Sequence, residues 1–256
     1  MTIAKNWFTI VKIDNQTFAL CEANHDEETN SFLLIGEKKA LLIDTRMGIK
    51  NIFDTVKSLT DKEIVVAITH AHWDHIGDID KIKTVMINKN EAPRLKKFPI
   101  SQKQVRDELA KTSLPFPKDF NLNAYKVPLA NNIIYINDND TIDLGNRKIK
   151  CIFTPGHSPG HTCFYDLNNN YLFSGDLVYK GELDCYYEST VPTEYRDSVH
   201  KLNLYNISYI FGGHHDLFLS RSILDETIKA FDYLYSTKNL RHQNKIFKFN
   251  NISIRL

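Results

Sequence analysis

The segment THAHWDHIGD, residues 69–78, constrains the fold of this chain most strongly, because it places three histidines and two aspartates directly after an apolar run. The preceding run IVVAI is typical of a strand that is buried on both faces. Burying so many polar side chains without partners would be costly, so the strand has to end where this segment begins. We therefore expect a sheet edge or a loop that presents these side chains to a ligand.

Four residues of this segment have the spacing of metal ligands, H-x-H-x-D-H. His70 and His72 are two residues apart and project to the same side of an extended chain. If a helix begins after them, Asp74 and His75 lie in its first turn and face a second point nearby. Imidazole and carboxylate groups together are the usual ligands of zinc or a similar metal ion. A solvated, histidine-rich loop is the alternative interpretation, and the position at a strand end disfavours it.

Three later segments repeat this arrangement, since each places a ligand-type side chain after an apolar strand and a turn. His157 follows CIFTPG, Asp176 follows YLFSG and His214 follows YIFGG. Glycine beside a ligand lets the backbone approach a metal site closely. His215 competes with His214 for the last position, and we prefer His214 because it directly follows two glycines. Together the four segments predict a metal site completed by residues far apart along the chain.

The pattern of the whole chain predicts an α/β protein. Strand patterns alternate with helical ones such as GIKNIFDTVKSLTDK, and HTCFYDLNNNYLFSGD has the pattern of a β-hairpin. No clean linker interrupts residues 1–256, so we expect a single domain. The segment at about 91–130 is punctuated by Pro and Asn, and we interpret it as a lid over the site or a long surface excursion.

Composition limits the partners and the setting. The formal net charge is +1 and no basic block occurs, which argues against nucleic acid and against an anionic membrane surface. The N-terminal residues lack the apolar run of a signal peptide, and no segment is long enough to span a membrane. The four cysteines are scattered, which is typical of free thiols in a reducing cytoplasm. The sequence gives no indication of the oligomeric state, and we expect a small-molecule substrate.

The motifs resemble those of the metallo-β-lactamase superfamily, in its dinuclear hydrolase branch. The resemblance rests on THAHWDH, TPGHSPGH, SGD and GGH and extends over about residues 30–214. LLIDT, residues 41–45, is similar to an early strand motif of the family that usually continues with Gly, where this chain has Arg46. The resemblance implies a four-layer αββα sandwich.

The resemblance also implies a ligand set for two divalent metal ions, with zinc expected and manganese or iron as alternatives. The first ion would be bound by His70, His72 and His157, the second by Asp74, His75 and His214, and both by Asp176. Asp44 would be a buried structural group near the site, and His161 a supporting residue as in glyoxalase-like members. The histidines outside these motifs are interpreted as solvated or capping residues: His25, His200 and His242.

Two metal ions can share one hydroxide at neutral pH and polarise a carbonyl oxygen. The resemblance therefore predicts a hydrolase of a small ester-like substrate, such as a thioester, lactone or related acyl compound, attacked by a metal-bridging hydroxide that Asp74 orients. Tyr179 lies three residues after Asp176 and resembles a lactonase tyrosine that contacts the substrate carbonyl. Packing in the hydrophobic layer is the alternative role of Tyr179.

Other activities on the same fold rank lower. A β-lactamase is disfavoured because no export signal is evident, and a nuclease is disfavoured by the neutral charge. A phosphodiesterase on the same site stays an alternative. Classical glyoxalase II has a glutathione-binding stretch after SGD, and here the residues read LVYKGELDCYYE. An iron-dependent redox enzyme of the same fold is a further alternative, although the flavodiiron branch has glutamate where this chain has His72. Intact ligands disfavour a non-catalytic relative.

Overall fold

The computed structural model describes residues 2–5 and 7–256, with side chains from Trp7 onward. These residues form two compact units. The first unit is the described part of Met1–Tyr135 together with Asp143–Arg147, and the second is Ile136–Ile142 together with Lys148–Leu256. The expected single domain is not tested by this division and stays a prediction.

The first unit is built on an eight-stranded sheet in which the strands follow one another in chain order. The strands are β1 Thr2–Lys5, β2 Phe8–Lys12, β3 Thr17–Cys21, β4 Asn30–Ile35, β5 Lys39–Ile43, β6 Glu63–Ala67, β7 Thr84–Asn88 and β8 Asn132–Ile136. Strands β1 to β5 pair antiparallel, whereas β5 pairs parallel with β6 and β6 with β7. Parallel neighbours need a crossover connection, and the helical pattern GIKNIFDTVKSLTDK supplies it between β5 and β6.

Short helices cover this sheet: α1 Ile52–Val56, α2 Ala92–Lys96 and α3 Gln102–Leu109, with 3₁₀ turns at Ile79–Lys81 and Leu122–Ala124. The residues of β4 and β5 are almost continuously buried, as their apolar runs predict. The segment 91–130 belongs to the same core, because Leu95, Val105, Leu109 and Tyr125 are buried in one cluster with the sheet residues. This segment is therefore packed on the first unit, and its role as a lid stays a prediction.

The second unit contains two smaller sheets. A five-stranded sheet has the order β14–β12–β11–β10–β9, and a three-stranded sheet has the order β13–β16–β15. The strands are β9 Thr141–Asp143, β10 Lys148–Phe153, β11 Thr162–Asp166, β12 Tyr171–Gly175, β13 Gly181–Asp184, β14 Tyr209–Gly212, β15 Ile246–Lys248 and β16 Ile252–Arg255. The helices are α4 Pro192–Leu202 and α5 Arg221–Ser236. The predicted hairpin is confirmed, since β11 and β12 pair antiparallel with Asp166 opposite Tyr171.

Strand direction in the five-stranded sheet determines where polar residues can meet. Strand β12 runs parallel to its neighbour β14 and antiparallel to β11, which is itself antiparallel to β10. The carboxyl ends of β10, β12 and β14 therefore point the same way. His157, Asp176 and His214 follow these three strands within four residues. The sheet thus brings to one edge three residues that lie far apart in sequence.

None of the helices in the described residues is both long and apolar enough to cross a membrane.

A buried carboxylate links α1 to the loop after β6. Asp78 is fully buried, and its Oδ2 accepts a hydrogen bond of 2.7 Å from the Ile52 backbone N–H. Lys81 donates to the other carboxylate oxygen. Burial raises the pKa of Asp78 from 3.8 to about 6, against the opposing effect of hydrogen bonds from Lys81 and Ile52. The native state therefore binds the proton of Asp78 more tightly than the unfolded chain does.

We predict a pH-dependent stability that disappears in Asp78→Asn. The contribution of the bound proton is complete below pH 3.8 and is lost as pH rises through about 6. Relative to Asp78→Asn, the wild type should lose about 2 kcal/mol of unfolding free energy between pH 4 and pH 7.5. Urea unfolding of both proteins across this range measures the difference. Asp80→Asn, a change at an exposed carboxylate of the same 3₁₀ turn, is the control, and parallel curves for all three proteins would refute the prediction.

Candidate metal centre

The loop after β6 gathers four ligand-type side chains in the first unit. The ring centroid of His70 lies 4.5 Å from that of His72 and 4.3 Å from that of His75. Nε2 of His75 lies 3.4 Å from Oδ2 of Asp74. His70, Asp74 and His75 are buried, and His72 is half-buried. The predicted H-x-H-x-D-H cluster is thus compact rather than a solvated loop.

Hydrogen bonds behind this cluster orient two of its imidazoles. Asp44 accepts hydrogen bonds from the Thr69 backbone N–H at 2.7 Å and from the Thr69 hydroxyl at 2.8 Å. Asp44 Oδ2 also accepts from Nδ1 of His75 at 2.9 Å. Because the Thr69 hydroxyl has donated its proton to Asp44, it accepts from Nδ1 of His70 at 3.0 Å. Both rings therefore carry their proton on Nδ1, which leaves Nε2 as the basic nitrogen.

Arg46, the residue that stands where the similar motif usually has Gly, lies in the turn that supports this loop. The backbone N–H of Gly77 donates to the carbonyl of Arg46 at 2.5 Å, and a Cβ at Gly77 would lie 2.2 Å from the backbone of Met47. Only glycine fits this close approach. Arg46 itself has φ of +63°. The turn therefore has the left-handed conformation that glycine adopts easily, although an arginine occupies it.

In the second unit, one aspartate contacts two histidines. Oδ2 of Asp176 lies 3.5 Å from Nε2 of His157 and 3.2 Å from Nε2 of His214. Nδ1 of His157 donates to the carbonyl of Asp184 at 3.0 Å, so Nε2 is again the basic nitrogen. All three side chains of this cluster are buried. Its geometry is that of a carboxylate oxygen held between two imidazoles.

Two supporting residues were not identified from the sequence. The hydroxyl of Tyr195, a fully buried residue of α4, lies 2.9 Å from the carbonyl of Asp176 and 2.8 Å from that of Leu177. A Cβ at Gly156, whose φ is +132°, would lie 2.2 Å from the Tyr195 backbone, so Gly156 lets α4 approach the His157 turn. In the first unit, Glu91 accepts the backbone N–H of Ala71 at 3.0 Å. Neither Tyr195 nor Glu91 has a sequence signal that distinguishes it from its neighbours.

The geometry separates the two adjacent histidines at the end of β14. His214 is buried beside Asp176, whereas His215 is exposed and has φ of +56°. Tyr179 is buried in the core of the second unit, with its ring centroid 5.4 Å from that of His214. Its hydroxyl donates to the backbone carbonyl of Glu182. Tyr179 is therefore both packed in the hydrophobic layer and close to a ligand-type histidine.

The donors in both units suit a divalent metal ion. In the first unit, His70 and His72 offer ligand atoms within 4.8 Å of each other, as do Asp74 and His75. In the second, Asp176 has this relation to His157 and His214. Imidazole nitrogen with carboxylate oxygen is the donor set that zinc and similar ions prefer. The chain thus carries clustered His and Asp side chains able to bind metal ions.

Comparison with known proteins gives concordant matches. The model of the metallo-beta-lactamase superfamily matches residues 26–214. The human protein named acyl-coenzyme A thioesterase MBLAC2 is 26% identical over 197 residues, which cover 70% of this chain and 70% of that protein. The Bacillus subtilis (strain 168) protein named probable polyketide biosynthesis zinc-dependent hydrolase PksB is 26% identical over 169 residues, covering 66% of this chain and 63% of that protein.

Among solved structures, a metallo-beta-lactamase from Erythrobacter litoralis superposes with a TM-score of 0.66 at 13% identity, covering 91% of this chain and all of that chain. At this identity the likeness concerns the fold alone, and it confirms the predicted α/β fold of the metallo-β-lactamase type. The match of the family model spans most of the chain. The chain therefore belongs to the metallo-β-lactamase superfamily of metal-dependent hydrolases.

Proposed function

We propose that this protein hydrolyses an acyl thioester with a pair of zinc ions. The observation that carries the proposal is the position of Asp176, one oxygen of which contacts the basic nitrogens of both His157 and His214. A carboxylate oxygen between two such groups suits a bridging ligand. The thioester class is supported by the relative named as an acyl-coenzyme A thioesterase, and zinc by the relative named as a zinc-dependent hydrolase.

The proposed ligand sets follow the order of the motifs. The first ion would be held by His70, His72 and His157, the second by Asp74, His75 and His214, and both by Asp176. The orientation of His70 and His75 by Thr69 and Asp44 supports this assignment, because a ring with its proton on Nδ1 presents Nε2 to a metal ion.

When bound, such a metal pair supplies Lewis acidity and lowers the pKa of water to about 7. The side chains of this protein would then direct the reaction. The carboxylate of Asp74 would orient the water molecule and accept its proton, and Tyr179 would contact the substrate carbonyl. In the reaction, water adds to the acyl carbon, the carbon–sulfur bond breaks, and the departing thiolate takes up a proton. The products are a carboxylic acid and a thiol.

We also propose a small-molecule substrate and a reducing, cytoplasmic setting. All four cysteines are free, and three of them are buried: Cys151, Cys163 and Cys185. Burial raises the pKa of each of these three thiols to about 12, so they remain protonated and unreactive at neutral pH. Free, inert thiols are usual in the cytoplasm and uncommon in oxidising compartments.

Asp176→Ala tests the bridging role. Protein purified without chelator should contain close to two zinc ions per chain, and the variant should contain fewer. Because the change removes a ligand, turnover should fall at least about 100-fold while the circular dichroism spectrum is retained. Asp197→Ala, at an exposed aspartate of α4, is the matched control and should behave as the wild type. Unchanged turnover with two zinc ions in Asp176→Ala would exclude the bridging role.

Tyr179→Phe tests the substrate contact. In the proposed role the Tyr179 hydroxyl leaves the Glu182 carbonyl and donates to the developing oxyanion, so the variant should lower kcat about 100-fold. The unfolding midpoint should fall only by the effect of the one hydrogen bond lost to Glu182. Tyr165→Phe is the control, because that change also removes a hydroxyl, one that is hydrogen-bonded to Asn170 and Asn206. If Tyr179→Phe loses stability and keeps a normal rate, the tyrosine has a packing role alone.

A substrate panel tests the reaction class. We expect the highest kcat/KM on acyl thioesters and lower values on lactones, β-lactams and phosphodiesters assayed under the same conditions. A preference for β-lactams or phosphodiesters would overturn the thioester proposal and retain the hydrolase. Bound iron with a visible absorbance and oxygen consumption would replace it with a redox activity.

A further inference from the structure

We infer that the second unit binds a nucleotide carried by the thiol half of the substrate, on a surface formed by the loop 185–190 and the C-terminal segment 233–256. The inference rests on the proposed thioester hydrolysis and names the kind of thiol that the protein prefers. Its ligand is a planar base bearing phosphate groups. The aromatic stack, its position and the local charge each support it.

Three side chains form a layered stack on this surface. The guanidinium of Arg255 lies 3.9 Å from the centroid of the Tyr186 ring. The Tyr186 and Tyr187 rings lie 4.1 Å apart at an angle of 34°. Tyr187 is 39% exposed, so its ring is accessible from solvent. Nucleic-acid bases stack on accessible aromatic rings of this kind, and arginine beneath the ring adds a cation–π contribution.

A single residue, Asp184, contacts both this stack and a candidate metal ligand. The carbonyl of Asp184 accepts the hydrogen bond from Nδ1 of His157. The side chain of the same Asp184 lies 3.5 Å from the Tyr187 hydroxyl. Arg255 is opposite Asp184 in the pairing of β13 with β16. A thiol ester bound at His157 would therefore have its leaving group near the stack.

The C-terminal segment supplies the charge that phosphate groups require. Residues 233–256 contain five Lys and Arg residues and no Asp or Glu, although the whole chain has a net charge of only +1. Of the five, Lys238, Arg241, Lys245 and Lys248 are exposed. Such a concentration of one charge attracts anions and is screened by salt.

A hydrogen-bonded link holds this basic segment against the loop. The Thr190 hydroxyl donates to the carbonyl of Tyr187 at 2.7 Å, and it therefore accepts from Nε2 of His242 at 2.9 Å. The backbone carbonyl of Arg255 also accepts a hydrogen bond from the backbone N–H of Cys185. Lys248 lies on the same face of the three-stranded sheet as Arg255, because it is opposite Ser253 in the pairing of β15 with β16.

Two acidic residues limit which cations are available for phosphate. Glu182 lies 3.7 Å from Arg255 and partly neutralises it. Glu188 is exposed in the same loop as the tyrosines. Phosphate recognition is therefore assigned to Lys248, which shares the face of Arg255, and to Arg241, the neighbour of His242, and Glu188 weakens it.

The first experiment measures binding without catalysis. Adenosine 3′,5′-bisphosphate is titrated into the metal-loaded protein by calorimetry at low and high salt. Tyr187→Leu and the pair Arg241→Gln/Lys248→Gln should each weaken binding about tenfold, and Glu188→Gln should strengthen it. The pair Lys57→Gln/Lys62→Gln removes the same charge from an exposed surface of the first unit and should have no effect.

The second experiment measures where the nucleotide acts in turnover. One acyl chain is presented on coenzyme A and on N-acetylcysteamine, a thiol without a nucleotide. The Tyr187 and Arg241/Lys248 variants should raise KM about tenfold for the first substrate, with kcat and the KM for the second substrate unchanged. Equal effects on both substrates would mean a structural role and overturn the inference.

The outcomes separate this inference from the proposed function. Bisphosphate binding that the variants weaken, together with absent thioesterase activity, would retain the nucleotide surface and reject the reaction. Thioesterase activity without bisphosphate binding would retain the reaction and reject the nucleotide surface. Binding of an acidic polypeptide such as polyglutamate in place of the bisphosphate would replace the nucleotide with a protein partner and overturn the inference.

Discussion

The interaction on which the candidate centre most depends is the set of hydrogen bonds to the carboxylate of Asp44. This group accepts from the backbone and hydroxyl of Thr69 and from Nδ1 of His75. Through Thr69 it also determines the proton position on His70. One buried carboxylate at the end of β5 thus orients two imidazoles of the loop after β6. Parallel pairing of β5 with β6 makes this possible, because it places the two strand ends side by side.

The second unit obtains the same result from sheet geometry. Strands β10, β12 and β14 end at one edge, and Asp176, which follows β12, contacts His157 and His214, which follow the other two. Tyr195 then holds the Asp176 backbone from α4, which Gly156 allows to come close. Ligand-type side chains therefore lie on rigid strand ends, supported by a helix. A catalytic or binding group placed in this way keeps its orientation without a ligand.

The sequence predicted the parts of the molecule that depend on local pattern. The apolar run before His70, the β11–β12 hairpin and the clusters after strand ends all follow from residue order. It could not predict Tyr195 or Glu91, because their roles depend on tertiary contacts. His25 is fully buried, so it is not solvated, and the capping alternative describes it: Nε2 lies 3.0 Å from the carbonyl of Leu109, the last residue of α3. That contact joins residues 84 positions apart, which local pattern does not encode.

Arg46 illustrates how a departure from a motif can be accommodated. The left-handed conformation costs a non-glycine residue about 1–2 kcal/mol. The buried guanidinium donates to the carbonyl of Thr29 at 2.6 Å, lies 3.9 Å from the carboxylate of Glu22 and is 5.2 Å from the Phe8 ring. Removing one partner from a buried ion pair costs about 3–5 kcal/mol, which exceeds the backbone strain. Once Glu22 is buried, arginine is therefore the more stable residue at this turn, and glycine would leave the carboxylate without its cation.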